Sequence, residues 1–161
     1  MSLKGFYKTD VVTVTADVAI TEVAALMRDR KVGDVVVVDS ANGKTHPIGM
    51  ITDRDIVIDC IADGAKNCAE VKVKDVMTTA PVCAREDEGL YEIVHKMRTQ
   101  AVGRLPIVDD KGYLIGIITS KNILALLSDE LTELVSIADA QEQGLGRARN
   151  AAAGTAVSPV L

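Results

Sequence analysis

The sequence predicts an α+β fold built from two copies of one small unit, in the order strand, helix, strand, strand, helix. Three observations lead to this prediction. Residues 12–39 recur 70 positions later as residues 82–109. In each copy an apolar stripe of helical period precedes a β-branched run. Each unit of roughly 50 residues is too short to bury a core alone, so the two copies must pack against each other.

The first helix of each copy follows from the spacing of its apolar residues. These residues lie three, four and seven positions apart, as on one face of a helix. They are Ile20, Val23, Ala24 and Met27 in the first copy, and Leu90, Ile93, Val94 and Met97 in the second. We expect both methionines to lie in the core.

Each helix is followed by two strands that form a hairpin. The first strands are short β-branched runs, which are typical of buried strands. A Gly-containing turn separates each from its return strand. The predicted strands are 35–38 and 48–51 in the first copy, with Asn42-Gly43 between them, and 105–108 and 114–118 in the second, with Lys111-Gly112 between them.

Further helices complete the predicted organisation. One begins at Thr52 or Asp53 and runs to about Ala62, and its counterpart runs from about Thr119 to Leu127. A third, amphipathic helix ends at Gly144, a residue suited to a helix C-terminus. The predicted segments are unit 1 at 6–63, a linker at 64–75, unit 2 at 76–128, a C-terminal helix at 129–144 and a flexible tail at 145–161.

Composition argues against several classes of protein. The net charge of −5 disfavours a nucleic-acid surface, which needs a basic stripe. No apolar run reaches the roughly 18 residues of a membrane span, and the first ten residues lack a signal peptide's apolar core, so we expect a cytoplasmic protein without a membrane partner. The three cysteines form no CxxC pair, which indicates reduced thiols rather than a disulfide framework or a zinc site.

A motif at the start of the second helix carries the functional signal. Gly49-x-x-Thr52-x-x-Asp55 recurs as Gly116-x-x-Thr119-x-x-Asn122. One interpretation is structural, because Thr-x-x-Asp can form a capping box. The other is a ligand site: a helix N-terminus with unpaired N–H groups attracts phosphate, and Arg54 adds charge. A carboxylate such as Asp55 can accept both hydroxyls of a ribose. Together these features favour a nucleotide.

Three marks resemble a tandem pair of CBS domains, the module named after cystathionine β-synthase. They are Asp75-Val-Met-Thr78-x-x-Pro81-Val82, Leu105-Pro106-Ile-Val-Asp109, and the repeated Gly-h-h-Thr-x-x-Asp/Asn signature, where h is hydrophobic. The resemblance covers roughly residues 6 to 130. It implies two βαββα units related by a pseudo-twofold axis, a Bateman-type module, with two clefts for regulatory adenosine ligands such as AMP, ADP, ATP, NAD or S-adenosylmethionine. It also implies a homodimer that acts on an effector protein.

The resemblance assigns the candidate ligand-binding residues. In the first cleft, Thr52 and Asp55 would hold the ribose and Arg54 the phosphate, with Thr13, Val32, Gly33, Asp34 and Val35 around the base. In the second, the polar roles would fall to Thr119, Lys121 and Asn122, with Thr78, Cys83, Val102, Gly103, Arg104 and Leu105 around the base. Because a neutral amide at 122 binds a diol less firmly than a carboxylate, we expect the first cleft to suit ribose better and the second, with Arg104 and Lys121, to suit phosphate.

Other functions have weaker support in the sequence. No nucleophile–base set or metal cluster stands out, so no catalytic or metal-binding residue is assigned and no catalytic cofactor is expected. Gly43-Lys44-Thr45 lacks the earlier glycine of a P-loop, and His46 and His95 have no partners at a telling distance. The principal alternative is an oligomeric scaffold whose clefts are vestigial.

Overall fold

The computed structural model describes residues 6–41, 43–62 and 67–153. The chain divides into two compact units, the first ending at Asn122 and the second beginning at Ile123. The first unit contains both repeats as far as the start of the last helix. The described part of the second unit is the remainder of that helix.

The elements follow the predicted order. The strands are β1 (Thr13–Val14), β2 (Asp34–Ala41), β3 (Lys44–Thr52), β4 (Thr78–Thr79), β5 (Ala84–Arg85), β6 (Arg104–Val108) and β7 (Leu114–Thr119). The helices are α1 (Ile20–Arg30), α2 (Asp53–Asp55), α3 (Leu90–Thr99) and α4 (Ser120–Ala153). A π-helical segment (Ile56–Ala62) continues α2, and a 3₁₀ turn (Val73–Asp75) precedes β4. The α+β class, the two repeated units and the C-terminal helix are confirmed.

The end of the chain differs from the prediction. The last helix of the second copy and the predicted helix at 129–144 form one continuous helix, α4, which passes through Gly144 and reaches Ala153. Gly in a helix interior costs only about 1 kcal/mol, and the Glu, Gln, Arg and Ala residues around it are good helix formers. The predicted helix end at Gly144 is therefore wrong. Of the predicted flexible tail, 145–153 is helical and 154–161 lies outside the described residues.

Two mixed sheets hold the repeats together. In the first, β2 lies between parallel β1 and antiparallel β3, and β5, β6 and β7 repeat that arrangement in the second. The first sheet has a fourth strand, β4, which belongs to the segment leading into the second copy and pairs with β3 of the first. Lys8, which leads into the first copy, makes the matching bridge to Ile117 on β7 of the second. Each copy thus begins on the sheet of the other.

Two glycines make this crossing possible. A Cβ on Gly49 would lie 2.9 Å from the carbonyl oxygen of Thr78, and a Cβ on Gly116 would lie 2.9 Å from that of Lys8. Both distances are shorter than a real Cβ tolerates. The glycine of the repeated signature is therefore required by a strand that crosses over it, and the two crossings are equivalent in the two copies.

The core has a part within the first copy and a part between the copies. Strand β2 contributes to both, because alternate side chains of a strand point to opposite faces. Val35 and Val37 belong to the first copy's core with α1, whereas Val36 and Val38 pack with Ile117 of the second copy. The predicted core positions Met27 and Met97 are buried.

The connection between the copies is anchored at two places. Cys60 and Cys68 form a disulfide across it, with their Cα atoms 5.8 Å apart. Val71 and Val73 are buried in the core of the first copy. The expectation of reduced thiols is wrong for this pair, because the π-helical segment brings Cys60 next to a cysteine that sequence spacing alone does not relate to it. Cys83 is free.

Burial on α3 generates a stability prediction with an adjacent control. Ile93 is fully buried, whereas its neighbour Val94 is 43% exposed. Ile93→Ala should lower the free energy of unfolding by about 2–5 kcal/mol because it leaves a cavity. Val94→Ala should change it by less than about 0.5 kcal/mol. Urea unfolding followed by circular dichroism measures both, and equal effects would contradict the packing described.

Candidate functional site: two clefts between the copies

Each copy is preceded by a short segment that lines a cleft, residues 7–12 for the first copy and 78–82 for the second; we call these the leading segments. The first cleft lies where β3 and the start of α2 face the leading segment of the second copy. Its volume is about 590 Å³, within the usual range for small-ligand sites. We call it cleft 1. Its lining consists of Met50, Thr52, Asp55, Thr78, Ala80, Pro81, Val82, Gln100, Ala101, Val102, Gly103 and Arg104.

The second cleft is formed in the same way with the copies exchanged. Its volume is about 530 Å³. We call it cleft 2. Its lining consists of Tyr7, Lys8, Thr9, Asp10, Val11, Val12, Arg30, Lys31, Val32, Asp34, Ile117 and Thr119.

The grouping of residues corrects the sequence prediction. That prediction placed each Thr-x-x-Asp/Asn motif with the base-binding residues of its own copy. In the structure Thr52 and Asp55 of the first copy share a cleft with Val102 and Arg104 of the second. Thr119 conversely shares a cleft with residues of the first copy. The reason is the strand crossing, which carries each copy's leading segment onto the sheet of the other.

This exchange also changes which charged side chains share a cleft. Arg104, expected in the cleft with Asn122, lies instead with Asp55. Cleft 1 therefore contains both a carboxylate, Asp55, and a guanidinium, Arg104. The predicted division of ribose and phosphate between the clefts assumed that Arg104 lies with Asn122, which is not the grouping in the structure.

The two clefts differ most in charge. Positions 70 residues apart occupy equivalent places, and cleft 2 carries charge where cleft 1 is mostly neutral. The equivalent pairs are Lys8 and Thr78, Asp10 and Ala80, Arg30 and Gln100, and Lys31 and Ala101. In cleft 2 the charges partly compensate, because Arg30 Nη2 donates to both carboxylate oxygens of Asp10 at 2.9 Å.

Thr52 and Asp55 form a complete capping box. Thr52 N–H donates to Asp55 Oδ2 at 2.8 Å, and Asp55 N–H donates to Thr52 Oγ1 at 3.2 Å. Asn122 makes the same box with Thr119, accepting from its N–H at 3.1 Å and from its hydroxyl at 2.7 Å. The structural interpretation of the motif is thus correct. A ligand would have to bind the hydrogen-bonding atoms of these side chains that the capping boxes leave free.

The N-terminus of α2 offers little to an anion. Besides the two capping bonds, Asp53 N–H donates to Gly33 O at 3.0 Å and Arg54 N–H donates to Asp53 Oδ1 at 2.8 Å. Every backbone donor from Thr52 to Asp55 thus has a partner within the chain. The expectation of unpaired N–H groups at this point is wrong, because neighbouring side chains and the Gly33 carbonyl occupy them.

A partly buried ion pair joins Arg104 to Asp34 at the clefts. Arg104 Nε lies 3.3 Å from Asp34 Oδ1, and the Asp34 side chain is 17% exposed. Burial raises the pKa of Asp34; Arg104 opposes this effect, Asp53 adds to it and Lys8 lowers it. The effect of burial on the Asp34 pKa outweighs that of the guanidinium because the ion pair lacks a well-aligned hydrogen bond.

The free thiol of Cys83 is also affected by burial. Burial raises the pKa of this thiol, and Lys96 opposes that effect.

The predicted site residues separate into three groups. Lining cleft 1 are Thr52, Asp55, Thr78, Val102, Gly103 and Arg104. At cleft 2 are Val32, Asp34 and Thr119, with Asn122 bonded to Thr119. Outside both linings are Thr13, Gly33, Val35, Arg54, Cys83, Leu105 and Lys121.

Residues in the third group have other roles or positions. Val35 and Leu105 are fully buried in the core. Thr13 lines a separate shallow pocket behind β2. Arg54 and Lys121 are exposed on the helices that follow the two motifs.

Sequence reasoning missed the leading segment of the first copy. Tyr7 to Val12 line cleft 2, and in the equivalent segment Thr78, Ala80, Pro81 and Val82 line cleft 1. The 70-residue offset already related these segments, so aligning the copies outward from residue 12 would have found them.

Within 6–41, 43–62 and 67–153, no cluster of three or more His, Cys, Asp or Glu side chains could hold a metal ion. Over the same part of the chain, no helix combines the length and apolarity that crossing a bilayer requires.

The capping box generates a prediction that separates the contribution of the hydrogen bond from that of the carboxylate charge. Asp55→Ala removes the acceptor for Thr52 N–H and should lower the free energy of unfolding by about 0.5–2 kcal/mol. Asp55→Asn should keep most of that stability, because Asn122 forms the same box with an amide oxygen. Chemical denaturation of both variants tests this. Equal losses would mean that the charge, rather than the hydrogen bond, stabilises the helix start.

Comparison with known proteins supports one family. The family model of the CBS domain matches residues 3–59 and 73–129. The uncharacterized protein MK0525 of Methanopyrus kandleri is 43% identical over 115 residues, which are 71% of this chain and 57% of that protein. The chain thus spans little more than half of that relative's length.

Solved structures show the same fold. The CBS domain pair of protein MJ0100, in complex with 5′-methylthioadenosine and S-adenosyl-L-methionine, superposes with a TM-score of 0.70 at 24% identity and covers 81% of this chain and 98% of its own. The CBS domain protein PAE2072 from Pyrobaculum aerophilum, complexed with AMP, gives 0.69 at 20% identity and covers 82% and 99%. Together with the family match to both repeats, this fold shows that the chain belongs to the CBS domain family.

Proposed function

We propose that the protein is a non-catalytic regulatory module that binds adenosine-containing ligands in its two clefts and alters a partner protein in response. The observation that carries this proposal is cleft 1, where the Asp55 carboxylate and the Arg104 guanidinium lie in one cavity with apolar walls. An adenosine phosphate has a matching set of an apolar base, a diol and an anion.

The chemistry of cleft 1 supports each part of that match. Pro81, Val82 and Val102 offer apolar surface to a purine ring. Asp55 uses Oδ2 in the capping box and has Oδ1 available as an acceptor for a ribose hydroxyl. Arg104 provides a fork of donors suited to phosphate. Binding of AMP, S-adenosylmethionine and methylthioadenosine by structurally similar CBS pairs agrees with this assignment.

Within this class, we propose AMP, ADP, ATP or an NAD-like dinucleotide as regulatory ligand. These molecules share the adenosine half that the residues of cleft 1 would contact. A non-catalytic role is favoured because the lining of cleft 1 contains hydroxyls at Thr52 and Thr78 but no His, Lys or Cys beside them. Its one carboxylate, Asp55, accepts the Thr52 N–H in the capping box rather than a hydroxyl. The output would be a shift between two arrangements of the module, read by an effector protein in the cytoplasm.

Helix α4 supports a proposal that the protein acts as a homodimer. In the second unit, large apolar side chains recur at helical spacing and remain exposed: Leu127 at 43%, Leu131 at 63%, Leu134 at 62% and Val135 at 60%. Such an apolar stripe is typical of a face that packs against another helix. This feature also favours the alternative function, an oligomeric scaffold with vestigial clefts, which differs from the first in predicting no ligand.

Ligand binding is tested by titration calorimetry with AMP, ATP and NAD. Asp55→Asn should weaken the affinity of cleft 1 by about 1 kcal/mol, because a hydrogen bond from the ribose to a charged group becomes a neutral one. Asp59→Asn is the matched control, since this exposed carboxylate lies on the same helical stretch outside the cleft lining. Loss of affinity in both variants would assign the effect to net charge, and no binding by the native chain would favour the scaffold.

Assembly is tested by light scattering after size exclusion. Leu131→Gln with Leu134→Gln should convert a dimer into a monomer without loss of fold, because both side chains are already solvent-exposed within the chain. Glu133→Gln, an exposed change between them, should leave the mass unchanged. An unchanged dimer in the double variant would refute the role of this face.

A further inference from the structure

Arg104 and Asp34 connect the two clefts. They occupy equivalent positions in the repeats, each at the first residue of its strand, β6 or β2. Arg104 lines cleft 1 and Asp34 lines cleft 2, yet the two side chains form an ion pair with each other. One salt bridge is thus part of both sites.

The arginine is the half of the pair that a ligand can reach. Its side chain is 36% exposed, against 17% for Asp34. Its Nε is inaccessible to solvent and has no hydrogen-bond partner within the described residues, so the pairing leaves donor capacity unused. Among the residues that line cleft 1, Arg104 is also the single cation. A phosphate in cleft 1 therefore has this one side chain to attract it.

We propose that the Arg104–Asp34 pair couples the clefts, so that a phosphate bound in cleft 1 draws Arg104 toward itself and leaves the charge of Asp34 facing cleft 2. A second phosphorylated ligand in cleft 2 then meets a carboxylate that has lost its arginine, and binds more weakly. Lys8 offsets this charge in part and nearby Asp53 adds to it. By linkage, an anion in cleft 2 weakens binding in cleft 1 by the same factor. This inference rests on the proposed adenosine-binding function.

The proposal predicts that a substitution in the lining of cleft 2 changes binding in cleft 1, which a purely local role of the residue would not produce. Asp34 lines cleft 2, but its replacement should act on cleft 1, because Arg104 loses the carboxylate that competes with phosphate. Asp34→Asn should tighten AMP binding in cleft 1 by about fivefold or more, at the lower end of usual coupling factors. Adenosine, which has no phosphate, should bind cleft 1 with unchanged affinity.

Calorimetric titration of the full chain with AMP and with adenosine tests this. The cleft 1 step is identified as the one that Asp55→Asn weakens. Asp29→Asn is the control: it also removes a carboxylate paired with an arginine, Arg28, but this pair is exposed and Asp29 belongs to neither lining. Asp34→Ser serves as a second neutral variant should the amide perturb folding.

The outcomes are distinct. Tighter AMP binding in cleft 1 with unchanged adenosine binding supports the coupling. Unchanged or weaker AMP binding in Asp34→Asn, or an equal gain in Asp29→Asn, overturns it while leaving adenosine binding intact. Absence of AMP and adenosine binding in the native chain overturns the proposed function, and the coupling with it.

Discussion

The structure depends on the reciprocal crossing of the two leading segments. Thr78 pairs on β3 of the first copy, and Lys8 pairs on β7 of the second. Each crossing passes directly over a glycine, at a distance that no other residue would permit. This exchange determines the composition of both clefts, because the helix start of one copy then shares a cleft with residues from the range 100–104 or 30–34 of the other.

The elements were accessible from sequence, because periodicity and turn residues are local signals. The stripe containing Met27 and the β-branched run at 35–38 specify a helix and a strand whatever surrounds them. The pairing of the copies was not accessible in the same way. A repeat has the same pattern whether each copy closes on itself or exchanges its first strand. The sequence therefore placed Thr52 in a cleft with Asp34, its partner on β2, whereas the structure places it in a cleft with Arg104.

The candidate site shows a second limit of sequence reasoning. Thr52 and Asp55 were correctly identified as a pair, because capping and ligand binding use the same residue types at the same spacing. The state of the backbone donors around them depends on Gly33 and Asp53, which are positioned by tertiary structure. The backbone donors at the start of α2 are paired within the chain, so in the proposed function a side chain, Arg104, is the group that contacts an anion. Similarly, the Cys60–Cys68 bond has no signature in sequence spacing.

The exchange of strands also has a consequence for the origin of the molecule. A single copy that paired with an identical copy would form two identical clefts, since each cleft needs one half from each partner. Joining two copies in one chain frees positions such as 34 and 104 to diverge while the crossing is retained. The fused chain can therefore hold two dissimilar sites in a scaffold whose symmetry would otherwise make them the same. Each copy contributes residues to both sites, so a substitution in one copy can alter either site.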